Sequence, residues 1–306
     1  MAIQLSENFR ALFYAPFYAA HAIGAYHAEG VDVTLLASPD PARTAVALRS
    51  GDVDVMWGGP LRVLLNHAQD PASDSVCFCD VIARDPFLII GRTPRPNFRI
   101  SDLVGIRFAS VAEVPTPWLC LQDDLRRAGV DPATLTRTSG PSMALNAAAL
   151  RAAEFDAVQL FQPYAEELIA SGAGHLWYAA ADRGLTAYTV LVTRRPLLDT
   201  RRDELLAMTR AMTNTLRWMA ATSGGDIARA LQEFFPTVAP DIFAAAIDRY
   251  RALNLYATAP ILQREGFDRL QAAMRSGGAL DRPIAFETCV DNSLARQVLV
   301  DDRAAE

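Results

Sequence analysis

Lysine is absent from this chain. All 29 basic residues are arginine, set against 35 acidic ones, for a formal net charge of −6. That balance argues against a general binder of nucleic acid or anionic membrane. Cysteine is scarce: Cys77, Cys79, Cys120 and Cys289 are too few to staple 306 residues. No apolar run approaches the roughly 18 residues of a membrane-spanning helix. The opening Met1-Ala2-Ile3-Gln4-Leu5-Ser6 has neither the basic nor the apolar region of a secretory leader. Either the chain is cytoplasmic or a leader has been removed. Gly-x-Gly-x-x-Gly, the Walker loop, Gly-x-Ser-x-Gly and His-Glu-x-x-His are all missing. The four histidines (His21, His27, His67, His175) show no metal-ligand spacing, so no metal or cofactor is expected. Cys77 and Cys79 share one face of a hydrophobic β run and read as inert buried thiols. Cys120 has no base in sight to make it a nucleophile.

Hydrophobic residues make up 51 % of the chain, enough for a sizeable core, and the length allows two domains. One phrase occurs twice. Ala47-Leu48-Arg49-Ser50-Gly51-Asp52-Val53-Asp54-Val55 leads to Trp57-Gly58-Gly59-Pro60. Ala149-Leu150-Arg151-Ala152-Ala153-Glu154-Phe155-Asp156-Ala157 leads to Gln159-Leu160-Phe161-Gln162-Pro163. Each reads as a helix end, a tight acidic turn, a short buried strand and a loop opening a new helix. A unit used twice implies two similar lobes with a cleft between them.

Around the repeat, strands alternate with helices. Strands are expected at 3–6, 31–36, 53–57, 75–83, 86–92, 106–111, 135–138, 155–159, 176–179 and 188–193. The expected class is α/β, each lobe a mixed, mostly parallel sheet flanked by helices. One helix is expected over Pro16–Glu29. After Arg194 the pattern turns helical to the end. Lobe one is expected at 1–92 plus 194–306 and lobe two at 98–188. Candidate hinge crossings fall near Thr93–Asn97 and near 188–195.

Ligands of open α/β sheets sit beyond the carboxyl ends of the strands. The loops there carry the candidate residues. Asn8, Phe9, Phe13, Tyr14, Trp57, Trp118 and Phe161 offer stacking or amide contacts, with Trp57 and Trp118 foremost because each lies where a strand hands over to a helix. Phe13 with Phe17, and Tyr14 with Tyr18, are spaced i, i+4 and read equally well as a helix packing face. Gly58 and Gly59 allow close backbone approach. Ser38, Thr116, Gln159 and Gln162 are neutral hydrogen-bonding candidates. Arg10, Arg43 and Arg84 suit an anion; Asp80 and Glu113 suit an amine or ring N–H.

Four stretches in order carry a family resemblance. They are Glu29-Gly30-Val31-Asp32-Val33, the Ala47–Val55 phrase, Ile100-Ser101-Asp102-Leu103-Val104-Gly105-Ile106, and Val290-Asp291-Asn292-Ser293. Together the chain resembles the solute-binding proteins of ABC transporters of the nitrate/sulfonate/taurine and thiamine-pyrimidine-precursor types. The resemblance implies a two-lobed type II periplasmic-binding fold that closes like a flytrap over a small aromatic, heterocyclic or anionic ligand. It also implies a membrane permease as partner, a periplasmic location and no enzymatic activity. The absence of a visible leader leaves room for an enzyme on the same fold. A thiamine-pyrimidine synthase would place a His after the first repeated strand, where Asp54-Val55-Met56-Trp57 stands. An aromatic sulfinate desulfinase would place a Cys after the first strand, where Asn8-Phe9-Arg10 stands. A regulator's sensing domain fits less well, because no DNA-binding segment is attached.

Overall fold

The structure is a computed structural model that describes residues 2–38 and 41–305. Ten strands form two five-stranded sheets. They are β1 (Ile3–Ser6), β2 (Val33–Leu36), β3 (Val55–Gly58), β4 (Ser75–Ile82), β5 (Leu88–Gly91), β6 (Arg107–Ala109), β7 (Thr136–Thr138), β8 (Ala157–Leu160), β9 (His175–Ala179) and β10 (Thr189–Arg194). The first sheet runs β2-β1-β3-β10-β4 and the second β7-β6-β8-β5-β9. In each, four strands point the same way and one is reversed: β10 in the first, β5 in the second. All ten expected strands are present.

The reversed strands correct the expected lobe boundaries. β5 pairs with β8 and β9, so it belongs to the second sheet. The first crossing is therefore 83–87, upstream of Thr93–Asn97, and the second is 180–188, just before the expected 188–195. The two crossings run side by side, Thr186 N–H donating to Ala83 O at 2.8 Å and Tyr188 N–H to Ile82 O at 3.2 Å. The Thr93–Asn97 stretch has linker composition but is tied down within lobe two. The Trp177 indole N–H donates to Thr93 O at 2.7 Å, and its ring lies under the Arg95 guanidinium and against Phe98.

The helices of the two repeats are α1 (Ala15–Ala22), α2 (Ala25–Ala28), α3 (Pro41–Ser50), α4 (Pro60–Gln69), α5 (Thr116–Arg127), α6 (Met143–Arg151) and α7 (Tyr164–Ala170). The tail adds α8 (Arg195–Thr200), α9 (Arg202–Ala221), α10 (Gly224–Leu231), α11 (Pro240–Ala252), α12 (Arg264–Ser276), α13 (Phe286–Cys289) and α14 (Ser293–Ala305). The single helix expected over Pro16–Glu29 is broken at Gly24, whose φ of 68° is left-handed. The tail covers more than lobe one. α9 packs on α1, α2 and α14, whereas α12 lies on both α4 and α5, and α11 reaches α7. Residues 255–260 line the outer edge of β4, with Asp80 N–H donating to Pro260 O and Ala257 N–H to Val81 O, both at 2.9 Å. That cover explains how β4 can be buried along its whole length although it ends the sheet.

The repeated phrase has a physical meaning in both lobes. The helix end is closed by a residue in left-handed conformation, Gly51 (φ 85°) in one copy and Ala153 (φ 59°) in the other. Beyond it Asp52 N–H returns to Ala47 O, and Glu154 N–H to Ala149 O. The aspartate before the strand then clasps the neighbouring parallel strand, β1 in one lobe and β6 in the other. Asp54 N–H donates to Gln4 O while its carboxylate accepts from Gln4 N–H at 2.9 Å. Asp156 N–H donates to Arg107 O while its carboxylate accepts from Arg107 N–H at 3.0 Å. Side-chain bonds from Arg107, with those of its backbone, hold the Asp156 carboxyl down to about 2.

Ala153 occupies a position that suits glycine. A left-handed L-residue costs roughly 1–2 kcal/mol, offset in part by the greater unfolded-state freedom of glycine. Ala153→Gly is expected to raise stability by up to about 1 kcal/mol and Gly51→Ala to lower it by about 1–2 kcal/mol. Urea denaturation would test this, and unchanged midpoints for both would show that neither position is conformationally constrained.

Candidate functional site

A cavity of ≈ 230 Å³ opens between the lobes at the carboxyl ends of β1, β6 and β8. Phe9, Arg10, Ala11 and Leu12 come from the loop after β1. Glu113 comes from the loop after β6 and Met143 from the start of α6. Phe161, Gln162, Pro163 and Tyr164 come from the loop after β8, and Phe235 from the tail. About 150 Å³ of apolar space accommodates a benzene-sized ring, so this volume takes one ring with a substituent.

The walls are aromatic because loops of both lobes deliver rings to the same place. Phe9 and Phe161 stack with centroids 6.3 Å apart, and Phe161 is wedged edge-on against Phe13 and Phe87, each at 5.3 Å. The polar groups are few. Arg10 donates to Glu7 Oε2 at 3.1 Å and to Phe234 O at 3.2 Å. Glu7 is buried and also accepts from the Tyr18 hydroxyl at 2.8 Å. Glu113 is exposed, and its carboxylate accepts Met143 N–H at 2.7 Å and Ala112 N–H at 3.2 Å. It thereby occupies the amino end of α6, where unpaired N–H groups and the helix dipole attract negative charge. Gln162 is buried and folds back on Glu166, which Arg249 of α11 holds with bonds of 2.6 and 3.0 Å. The Gln162 N–H donates to the Tyr250 hydroxyl at 3.0 Å. The tail thus fixes the β8 loop from outside.

Five expected residues meet here: Phe9, Arg10, Glu113, Phe161 and Gln162. Others have different work. Trp57 is fully buried and stacks on Phe17 at 4.7 Å, so it is a core residue of β3 rather than a cleft wall. Phe13 and Tyr14 are buried beside it, with Asn8 donating to the Tyr14 hydroxyl at 3.1 Å. A side chain at Gly58 would press on Met56, and one at Gly59 would meet Tyr188 O at 3.2 Å. Trp118 lies under the Arg137 guanidinium at 3.9 Å, and Arg137 donates to Ser110 at 2.7 Å. Thr116 begins α5, and Gln159 is buried, donating to Pro117 O at 3.2 Å. Arg84 links the two crossings by donating to Ala181 O at 3.1 Å. Ser38 accepts from the Thr44 hydroxyl at 2.5 Å, and Arg43 is exposed on α3. Pro39 and Asp40 of that expected loop lie outside the described residues.

Asp80 is buried in β4 opposite Val190, with Oδ1 unpartnered, and burial pushes its carboxyl up to about 7. Cys120 is buried in α5 and its thiol is pushed up to about 12 by burial, far from a thiolate poised for attack. Among the described residues no group of three or more His, Cys, Asp or Glu is placed to hold a metal.

The cavity residues outside the expected set are Ala11, Leu12, Met143, Pro163, Tyr164 and Phe235. Pro163 closes the loop of the second repeated phrase, Tyr164 directly follows it, and Met143 follows the Ser142 cap of α6. Phe235 carries no such signal, since it reaches the cavity only through tail packing. A larger cavity of ≈ 450 Å³ lies between α9, α11 and residues 254–258, and holds none of the expected residues.

The NMT1/THI5-like family model matches residues 13–223. The chain belongs to the NMT1/THI5-like family. It is 25% identical over 300 residues to "Putative binding protein YtlA" of Bacillus subtilis (strain 168), covering 97% of this chain and 89% of that one. Its fold matches the periplasmic aliphatic sulphonate binding protein SsuA of Escherichia coli, with a TM-score of 0.75 at 15% identity over 92% of this chain and 94% of that one. It also matches the desulfurization enzyme DSZB, with a TM-score of 0.71 at 13% identity over 98% of this chain and 100% of that one. The two-lobed periplasmic-binding-protein-like fold expected from the sequence is the fold observed.

Two measurements follow for this NMT1/THI5-like chain. Trp57→Ala is expected to cost about 3–5 kcal/mol in a denaturant titration, as for other buried tryptophans; a loss below 1 kcal/mol would contradict its core role. For Asp80, the folded-state value near 7 lies above the unfolded value near 4. Between these the folded chain keeps a proton that the unfolded chain has lost. Stability from this group is therefore full below pH 4 and falls as pH rises to about 7, by at most about 1.4 kcal/mol per pH unit. Asp80→Asn should remove that fall, and identical pH slopes for variant and parent would refute it.

Proposed function

We propose that this chain is the solute-binding component of an ABC-type import system, holding a small aromatic or heterocyclic ligand between its lobes. The observation that carries the reading is the interlobe cavity. Three loops from two sheets, joined by paired crossings, bring aromatic rings of both lobes around a space for one substituted ring. Closure over a ligand is then a change in how the lobes meet at Phe9 and Phe161, which a permease can read. The likeness to YtlA and SsuA, named as a putative binding protein and a sulphonate binding protein, supports the class. The working location under this reading is the outer side of the cell membrane. Among the described residues no helix is long and apolar enough to cross a membrane.

The enzyme on the same fold is the competing reading, since DSZB shares the architecture. Asn8-Phe9-Arg10 follows β1 without a cysteine, and Cys120 is buried, so among the described residues no cysteine lines the cavity.

Native mass spectrometry and calorimetry on the purified chain test the proposal. One ligand should bind per chain and be recovered unchanged. Phe9→Ala, at a half-buried wall position, should weaken it by about tenfold or more, the worth of a lost ring contact. Recovery of a converted product would overturn the reading in favour of an enzyme.

A further inference from the structure

Resting on the cleft reading above, we infer that the ligand is a ring bearing a cationic or N–H-donating nitrogen, received by Glu113, and is not an oxyanion. The cavity wall holds two charged side chains, Arg10 and Glu113. Arg10 is already paired with a carboxylate. Its guanidinium bonds the buried Glu7 carboxylate and Phe234 O, and lies 5.3 Å from the Tyr18 ring. The pair Glu7–Arg10 brings no net positive charge to the wall.

The amino end of α6 is the place where an anion would otherwise find free N–H groups. Glu113 fills it, taking Met143 N–H at 2.7 Å. Arg137 of β7 is stacked on Trp118 and bonded to Ser110, and does not line the cavity. An incoming sulfonate or nitrate would therefore meet a carboxylate where it needs a donor, at a cost of like-charge repulsion.

Glu113 itself is suited to receive a donor. Each carboxylate oxygen takes one backbone N–H and keeps a further lone pair. The residue is exposed at the cavity, whose wall also carries Met143 and the rings of Phe9, Phe161 and Tyr164. A flat ring between these rings can point one N–H at the carboxylate, a charge-assisted bond. Glu113 is thus a specificity-determining residue.

The test uses one ring with three substituents: 4-aminopyridine (a cation at neutral pH), 4-methylpyridine and pyridine-4-sulfonate. Each is titrated by calorimetry into the parent chain, Glu113→Gln and Phe9→Ala at low salt. The parent should bind 4-aminopyridine more tightly than the sulfonate by about tenfold or more, and Glu113→Gln should abolish most of that preference. Its unfolding midpoint is read alongside, so a loss through misfolding is separated from a loss of recognition. If the sulfonate binds better and Phe9→Ala weakens it, the charge assignment fails while the cleft reading stands. If Phe9→Ala leaves every affinity unchanged, the rings bind elsewhere and the cleft reading fails. An absence of binding by all three at millimolar concentration overturns the assignment of a nitrogen-bearing ring.

Discussion

The two lobes depend on one buried arginine. Arg183, at the second crossing, bonds Asp85 of the first crossing at 2.8 Å and Asp124 of α5 through Nε and Nη2. Tyr178 of β9 donates to the same Asp124 at 3.0 Å. Asp85 has no exposed side-chain surface and Arg183 almost none. Charges so far from water persist only when paired, and removing one partner leaves the other stranded. The network therefore ties both crossings to lobe two at the point where the chain changes sheets.

Much of this arrangement was legible in the sequence. β-Branched and aromatic runs marked every strand, and the duplicated phrase marked the duplicated lobe. The phrase proved to be backbone engineering: a left-handed helix end and an aspartate that clasps the neighbouring parallel strand in each sheet. Strand membership was not legible for β5, because its partners β8 and β9 lie far along the chain and no local pattern names them. Thr93–Asn97 looked like a hinge because proline-rich composition marks a break in regular structure. It cannot show that Trp177 packs over the break.

The site residues divide along the same line. Loop position brought Phe9, Arg10, Glu113, Phe161 and Gln162 to one interlobe cavity. Trp57 was misplaced because β3 is buried on both faces, so the alternation that separates inside from outside is absent there. Trp118 was misplaced because nothing local reveals that Arg137, on β7, covers it. Side chains that serve the cleft indirectly, such as Tyr250 and Arg249 from the tail, depend on packing between segments about ninety residues apart, which short-range patterns do not encode.

The exchange of strands also bears on how the chain is made. β3 and β4 each pair with β10, and the first sheet closes only when β10 is in place. During synthesis β4 emerges long before β10, an interval on the order of ten seconds at 5–20 residues per second. Through that interval the nascent amino-terminal half presents one edge of β3 and both edges of β4 unpaired, on strands that the finished protein buries along their whole length. The same topology that gives the finished protein two lobes joined by two crossings makes its unfinished form a natural client for a chaperone.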